Sequence, residues 1–145
     1  MTDLFDALSH DHRDVEHLFA RYAETHDDAD AREICDALTL HAEVEEQVLY
    51  PELRRIVDDG DDMANVAESE HAAIRLLIAR LYESPPIDLT PLIDELRTGV
   101  EGHVAAEEGD LFPRLRESGA DAEALGRQLE MVRGEASSRS AGQVG

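Results

Sequence analysis

A stretch of fourteen residues occurs twice in this chain, and it constrains the fold more than any other feature. HAEVEEQVLYPELR begins at His41, and HVAAEEGDLFPRLR begins at His103. Without a gap, both copies have a His, a Glu four residues later, a second Glu, a Leu, an aromatic residue, a Pro, a Leu and an Arg. A weaker repeat matches DHRDVEHLF from Asp11 with EHAAIRLLI from Glu70. The chain is therefore predicted to contain two helix pairs of similar design.

Four long helical patterns, separated by short breaks, predict how these pairs are arranged. They cover about residues 3–25, 29–57, 61–83 and 90–118, with breaks at HDDAD, DDGDD and SPP. Thr90 is predicted to cap the fourth helix, with Pro91 at its first position, and Gly119 to cap its end. Pro51 and Pro113 are predicted to kink or break helices two and four. Short connections favour an all-α, antiparallel up-down-up-down four-helix bundle.

The length of 145 residues is that of one domain with a sizeable core. Residues 1–118 are predicted to form the bundle. Residues 119–145 are predicted to form a short C-terminal fifth helix, ADAEALGRQLEMVR, and a flexible tail, GEASSRSAGQVG, too small and polar to pack.

Four of the seven histidines face the predicted core, one from each helix, when each helix is stepped at about 100° per residue. Two glutamates lie one turn after a core-facing histidine, on the same face. A single core-facing histidine is most often structural, but a buried carboxylate costs several kcal/mol unless it is paired or bound to metal. Two such pairs in equivalent helices predict a metal site. Its residues are His12, His41, Glu45, His71, His103 and Glu107, whereas His10, His17 and His26 lie outside it.

This ordered set resembles the hemerythrin-like, or HHE cation-binding, domains. The likeness is carried by the six residues above, by two H-x-x-x-E motifs and by the DH, EEQVLYPEL and EH contexts, and it covers about residues 3–117. It implies a non-haem di-iron centre, oxo- or hydroxo-bridged, in a four-helix bundle. Glu45 and Glu107 would bridge two iron ions, and the four histidines would be terminal ligands. The donor set agrees, because imidazole suits iron and bridging carboxylates compensate two close cations.

The chain departs from the oxygen-carrying hemerythrins at two places. They have a second His four residues after the helix-three His, where this chain has Arg75, and their helix-four acid falls one residue later, where Glu108 stands. Glu68 and Tyr50 are both candidates for a substitute ligand. Arg75 is expected to pair with Glu16, which occupies the same position in the other half of the repeat.

Composition limits the partners that the chain is expected to have. The net charge is −21 and all 13 basic residues are arginine, so nucleic acid and anionic membranes are excluded as partners. Cys35 is the single cysteine, which excludes an internal disulfide and suits a cytoplasmic protein. Neither a signal peptide nor a membrane span is expected.

Two functional hypotheses follow. The first is a di-iron protein that binds or reacts with O2, peroxide or nitric oxide, with reaction favoured over reversible carriage because the site has fewer histidines. The alternative is a non-catalytic iron-binding sensor or storage module. Zinc would also accept these donors, and a ferritin-like Glu-x-x-His spacing occurs only at Glu68 and His71. The sequence decides neither whether the protein is an enzyme nor its oligomeric state.

Overall fold

The computed structural model describes residues 3–83 and 88–143, and throughout these ranges the secondary structure is helical. None of the helices there combines the length and the hydropathy that a membrane span needs. The elements are α1 (Leu4–Thr25), α2 (Asp28–Val44), a first π-turn (Glu45–Leu49), α3 (Tyr50–Ile56), α4 (Gly60–Glu83), α5 (Thr90–Ala106), a second π-turn (Glu107–Leu111), α6 (Phe112–Glu117) and α7 (Ala122–Gln143).

The predicted helical bundle is confirmed, and its ends are capped largely by local acids. The Asp3 carboxylate accepts a hydrogen bond from the backbone N–H of Asp6 at the start of α1. The prediction that Thr90 caps α5 is wrong: Thr90 is the first helical residue, and the Asp88 carboxylate accepts from its N–H and its hydroxyl. Gly119 has a φ of 85°, as a helix-ending glycine should. The predicted SPP break lies outside the described residues.

The two prolines do not break their helices, because a π-turn precedes each of them. The backbone N–H of Tyr50 bonds to the carbonyl of Glu45, five residues back, and Phe112 bonds to Glu107 in the same way. Each π-turn therefore begins at a candidate metal-ligating glutamate and ends just before the aromatic residue that precedes proline. The next α-helix restarts with proline in its first turn, where a missing N–H is tolerated.

Two apolar clusters fill the interior. One includes Leu4, Phe5, Leu49, Leu53 and Leu115, and the other includes Phe19, Ile34, Ile78 and Leu96. All six predicted metal-site residues are buried and belong to neither apolar cluster. The polar groups are thus kept from water among packed hydrophobic side chains.

The fifth helix is longer than the sequence suggested. The prediction of a short helix and an unpacked tail is wrong, because α7 continues to Gln143. Leu125, Leu129 and Val132 are buried in the first apolar cluster, and Ala136, within the predicted tail, is also buried. Arg139 forms an ion pair with Glu43 of α2. Gly and Ser in this segment are weaker helix formers than Ala, so the contacts of Ala136 and Arg139, rather than composition, support the helix here.

Candidate metal centre

The structure brings the six predicted site residues together in the interior. Each of them is at most 8% exposed, whereas His10, His17 and His26 are exposed. The six form two sets of four, and within each set one ligand atom per residue lies within 4.8 Å of all the others. The first set is His12, His41, Glu45 and Glu107, and the second is His71, His103, Glu45 and Glu107.

Both glutamates belong to both sets, and each divides its two oxygens between them. Glu45 Oε2 lies 3.1 Å from His41 Nε2, and its Oε1 lies 3.0 Å from His71 Nε2. Glu107 Oε1 lies 3.2 Å from His12 Nε2, and its Oε2 lies 3.1 Å from His103 Nε2. A carboxylate placed in this way can bridge two ions, one in each set.

The donor atoms also converge at the spacing of ligands on one metal ion. His12 Nε2 and His41 Nε2 are 3.1 Å apart, and the corresponding atoms of His71 and His103 are 3.0 Å apart. Ligand atoms about 2.1 Å from one ion, at a right angle, are themselves about 3.0 Å apart. Two buried carboxylate oxygens, on Glu45 and Glu107, have no aligned hydrogen-bond donor among the described residues. The residues present therefore fit a pair of cations.

Each of the four histidines also has a carboxylate at its other ring nitrogen, Nδ1. The contacts are His12–Glu108 at 2.6 Å, His41–Asp11 at 3.3 Å, His71–Glu46 at 2.8 Å and His103–Glu70 at 2.8 Å. A carboxylate that accepts the Nδ1 proton leaves Nε2 free to bind metal and fixes the orientation of the ring. All four Nε2 atoms point towards the glutamate oxygens.

These outer carboxylates follow the repeat, although the sequence analysis did not assign Asp11, Glu46 and Glu70. Asp11 and Glu70 immediately precede a core-facing histidine, but each contacts the histidine of the next helix instead. Glu46 and Glu108 immediately follow the two central glutamates. Two features of the sequence indicate these carboxylates: the second Glu of each Glu-Glu pair and the acid that directly precedes a core-facing His. The helix wheel alone could not identify which ring each acid reaches.

Two expectations for the surrounding acids and arginines are wrong. Arg75 does not pair with Glu16. Its guanidinium contacts the Glu46 carboxylate, and Glu16 pairs with Arg13 instead. Glu68 is not a substitute ligand, because it is exposed and forms an ion pair with Arg54. The ferritin-like Glu-x-x-His spacing at Glu68 and His71 therefore does not supply a carboxylate to the centre.

Tyr50 lies inside the second set of candidate ligands. Its hydroxyl is 2.9 Å from Glu107 Oε2 and 3.3 Å from Glu45 Oε1. It is also 3.1 Å from His71 Nε2 and 3.3 Å from His103 Nε2. On an uninterrupted α-helix Tyr50 would lie about 180° from His41, and the additional residue of the π-turn reduces this by about 100°. The π-turn therefore turns the phenol inwards.

Without metal, protons on the buried histidines balance the negative charge of the central glutamates. Burial alone would lower the pKa of His41, but the Glu45 charge and the Asp11 hydrogen bond raise it to about 10. Burial is likewise outweighed at His103, whose pKa the two glutamates raise to about 11. The same histidines keep the pKa of Glu45 well below its ordinary value despite burial. Burial and both carboxylates raise the pKa of the Tyr50 phenol.

An apolar cavity of about 20 Å³ adjoins the four histidines. Val15, Leu38, Ile74, Val100 and Val104 line its other sides. This volume suits one water-sized molecule. A larger open cleft of about 360 Å³ lies between α1 and α5, and three of the valines line both spaces.

Comparison with known proteins identifies the family of the chain. The profile of the Hemerythrin HHE cation binding domain family matches residues 3–85. A protein from Nostoc sp. (strain PCC 7120 / SAG 25.82 / UTEX 2576), named DNA nickase, is 33% identical over 116 residues, which is 77% of this chain. The chain spans 33% of the length of that protein. No solved structure matches the chain significantly.

Proposed function

This chain belongs to the hemerythrin HHE cation-binding domain family, and we propose that its buried cluster holds two iron ions and reacts with O2, peroxide or nitric oxide. The observation that supports this most strongly is the placement of Glu45 and Glu107. Each has one oxygen in either set of candidate ligands. In the proposed centre, His12 and His41 hold one ion and His71 and His103 hold the other.

Iron fits this donor set better than zinc does. Structural zinc sites are four-coordinate, closed and often rich in cysteine, whereas this centre offers imidazoles and shared carboxylates. Cys35, the single cysteine, belongs to the apolar cluster around Phe19 and Ile34. The proposal also takes the four long helical segments to alternate in direction, as their short connections favour.

We assign Tyr50 as the additional ligand on the side of His71 and His103. Its hydroxyl lies within hydrogen-bond distance of all four candidate ligand atoms of that set. Binding to a cation would overcome the burial and carboxylate charges that keep the phenol protonated. The two ions would then have different ligands.

The surrounding residues select the substrate by size and polarity. The cavity beside the four histidines has room for about one water-sized molecule and is otherwise lined by aliphatic side chains. A small, mostly aliphatic space beside the centre favours a small, weakly polar ligand such as a diatomic gas over larger polar solutes. Bound iron would supply the electrons. The outer carboxylates keep the four imidazole rings in orientation.

DNA nicking is not proposed for this chain. The match covers 33% of the relative that carries that name, so the activity of that protein can lie outside the matched part. A net charge of −21 would also repel a phosphate backbone.

Consumption of peroxide by the iron-containing protein tests reaction against storage. The matched variants are E45Q, which removes a bridging charge, and E101Q, which alters an exposed acid that is paired with Arg97. Turnover in the parent and in E101Q, together with its loss in E45Q, would support the proposal. Stable iron binding without consumption of peroxide, O2 or nitric oxide would favour the sensor or storage alternative.

A further inference from the structure

The C-terminal helix reaches the candidate metal centre through one side chain. Arg133 of α7 donates a hydrogen bond to Oδ2 of Asp11, and the same oxygen lies 3.3 Å from Nδ1 of His41. The side chains of Arg133 and Asp11 are only 29% and 20% exposed. A continuous, largely shielded series of polar contacts thus leads from α7 to a candidate ligand.

Arg133 differs from the other arginines that contact the outer carboxylates. Arg13 binds Glu108 and Arg75 binds Glu46, but these two arginines lie on α1 and α4, which carry candidate ligands themselves. Helix α7 carries none of the six candidate ligands. The Arg133 contact therefore connects an added helix to the centre.

The apolar face of α7 packs on the elements that hold the first set of ligands. Leu125 and Leu129 belong to the same buried cluster as Leu8 of α1 and Val48 of the first π-turn. Helix α7 also packs against α2. Displacing α7 would consequently disturb the helices that carry His12, His41 and Glu45.

We infer that α7 is an integral part of the metal centre, with Arg133 as a positioning residue that holds Asp11 against His41. The arginine neutralises Asp11 and keeps its carboxylate at the imidazole rather than in water. That contact orients the ring so that Nε2 faces the ion. Because coupling between two equilibria is reciprocal, metal binding must in turn stabilise the docked state of α7. This inference rests on the proposed metal site.

The test compares R133Q with R139Q. Arg133 joins α7 to Asp11 of α1, whereas Arg139 joins α7 to Glu43 of α2, which also accepts a hydrogen bond from Gln47. Fe²⁺ affinity is measured by anaerobic competition with a chelator, and amide hydrogen exchange in α7 is measured with and without Fe²⁺. We expect R133Q to weaken the binding of one of the two ions about three- to tenfold. Loss of a group that contacts a ligand directly typically costs about 10- to 100-fold, and Arg133 is one contact further away. R139Q should bind as the parent does.

In the unsubstituted chain, Fe²⁺ should slow exchange in α7 by about tenfold. Parent-like affinity in R133Q, or unchanged exchange in α7 when two ions are bound, would overturn the inference and leave the metal site intact. The exchange comparison needs no variant, so unchanged exchange in α7 overturns the inference even if R133Q does not fold. A parent protein that binds no metal would overturn the proposed function and, with it, the coupling.

Discussion

Tyr50 and Phe112 occupy equivalent positions in the two copies of the repeat, nine residues after His41 and His103, but they face the centre with different chemistry. The Tyr50 hydroxyl lies 3.1 Å from His71 Nε2. Phe112 stacks on the ring of His12, with ring centroids 6.2 Å apart and planes at 6°. Each half of the repeat therefore supplies two histidines and one glutamate to the centre. Only the first half supplies a tyrosine hydroxyl as well.

Replacing Tyr50 by Phe tests whether this phenol binds iron. A phenolate bound to ferric iron absorbs visible light by charge transfer, so Y50F should retain both ions and lose that absorption. Y22F is the matched control, because Tyr22 is also buried but its hydroxyl contacts Thr90. A Y50F spectrum identical to that of the parent would show that Tyr50 is not a ligand.

The two kinds of ligand should behave differently on removal. Glu45 belongs to both sets, so E45Q should weaken the binding of both ions. His41 belongs to one set, so H41A should release about one ion and retain the other. Iron content after gel filtration distinguishes the two results. Loss of one ion in both variants would argue against Glu45 as a bridge. H17A, at an exposed histidine, should retain both ions.

Metal uptake should release protons. The pKa values of His41 and His103 are raised to about 10 and about 11, so both rings are charged at pH 7 in the metal-free protein. Metal binding displaces one proton from each of these two rings and one from the Tyr50 phenol, so it should liberate about three protons per chain, measurable with a pH indicator. The affinity for Fe²⁺ should also rise between pH 7 and 10. Metal binding without proton release would contradict this charge balance.

The same shifts determine how the stability of the metal-free protein depends on pH. The contribution of His41 is fully present below its unfolded pKa of about 6.5 and is lost as the pH rises through about 10. Glu45 has a lowered pKa, so its contribution is present above about 4.5 and is lost as the pH falls through the folded value. Urea unfolding should therefore show the free energy of unfolding decreasing from pH 6 to pH 10. A free energy of unfolding that increases from pH 6 to pH 10 would contradict the raised pKa of His41.

Enlarging Val104 should obstruct the small ligand. Val104 lines both the buried cavity and the open cleft between α1 and α5. A phenyl ring at this position would occupy much of both spaces, so V104F should slow azide binding to the iron-containing protein by about tenfold, the effect of about 1.4 kcal/mol on the barrier. Stopped-flow mixing measures the rate, and V66F, at a residue that is 61% exposed on α4, is the control. Equal rates in both variants would show that the ligand does not use this cavity.

Gly60 is required by a close backbone approach at the start of α4. A Cβ at this position would lie 1.9 Å from the carbonyl oxygen of Leu53. G60A should lower the free energy of unfolding by about 1–3 kcal/mol, because the backbone must shift. At Gly99 of α5 an added Cβ meets nothing within 4 Å, so G99A should stabilise the protein by about 0.5–1 kcal/mol. Urea denaturation of both variants measures the contrast, and equal effects would contradict the close approach.

The sequence predicted the helices and the inward faces well because both depend on a regular period. His12, His41, His71 and His103 fall on apolar faces at about 100° per residue, and all four are buried. The wheel could not position Tyr50, because its orientation depends on a π-turn that breaks this period. It also could not pair Asp11 with His41 or Glu70 with His103, since these contacts cross between helices.

The C-terminal segment differs from its prediction for another physical reason. Its residues are small and polar, and small polar segments often do not pack. Here α7 packs on a surface already formed by α1 and α2, so Ala136 is sufficient to continue the contact and Arg139 to pair with Glu43. Tertiary packing thus outweighed composition.

The proposed function depends on two iron ions that share Glu45 and Glu107. Metal analysis of freshly purified protein, with absorption spectra before and after addition of peroxide, is the decisive measurement. A shared pair of ions predicts about two irons per chain and near-ultraviolet bands that change with peroxide. Zinc alone, or one ion per chain with a featureless spectrum, would contradict it.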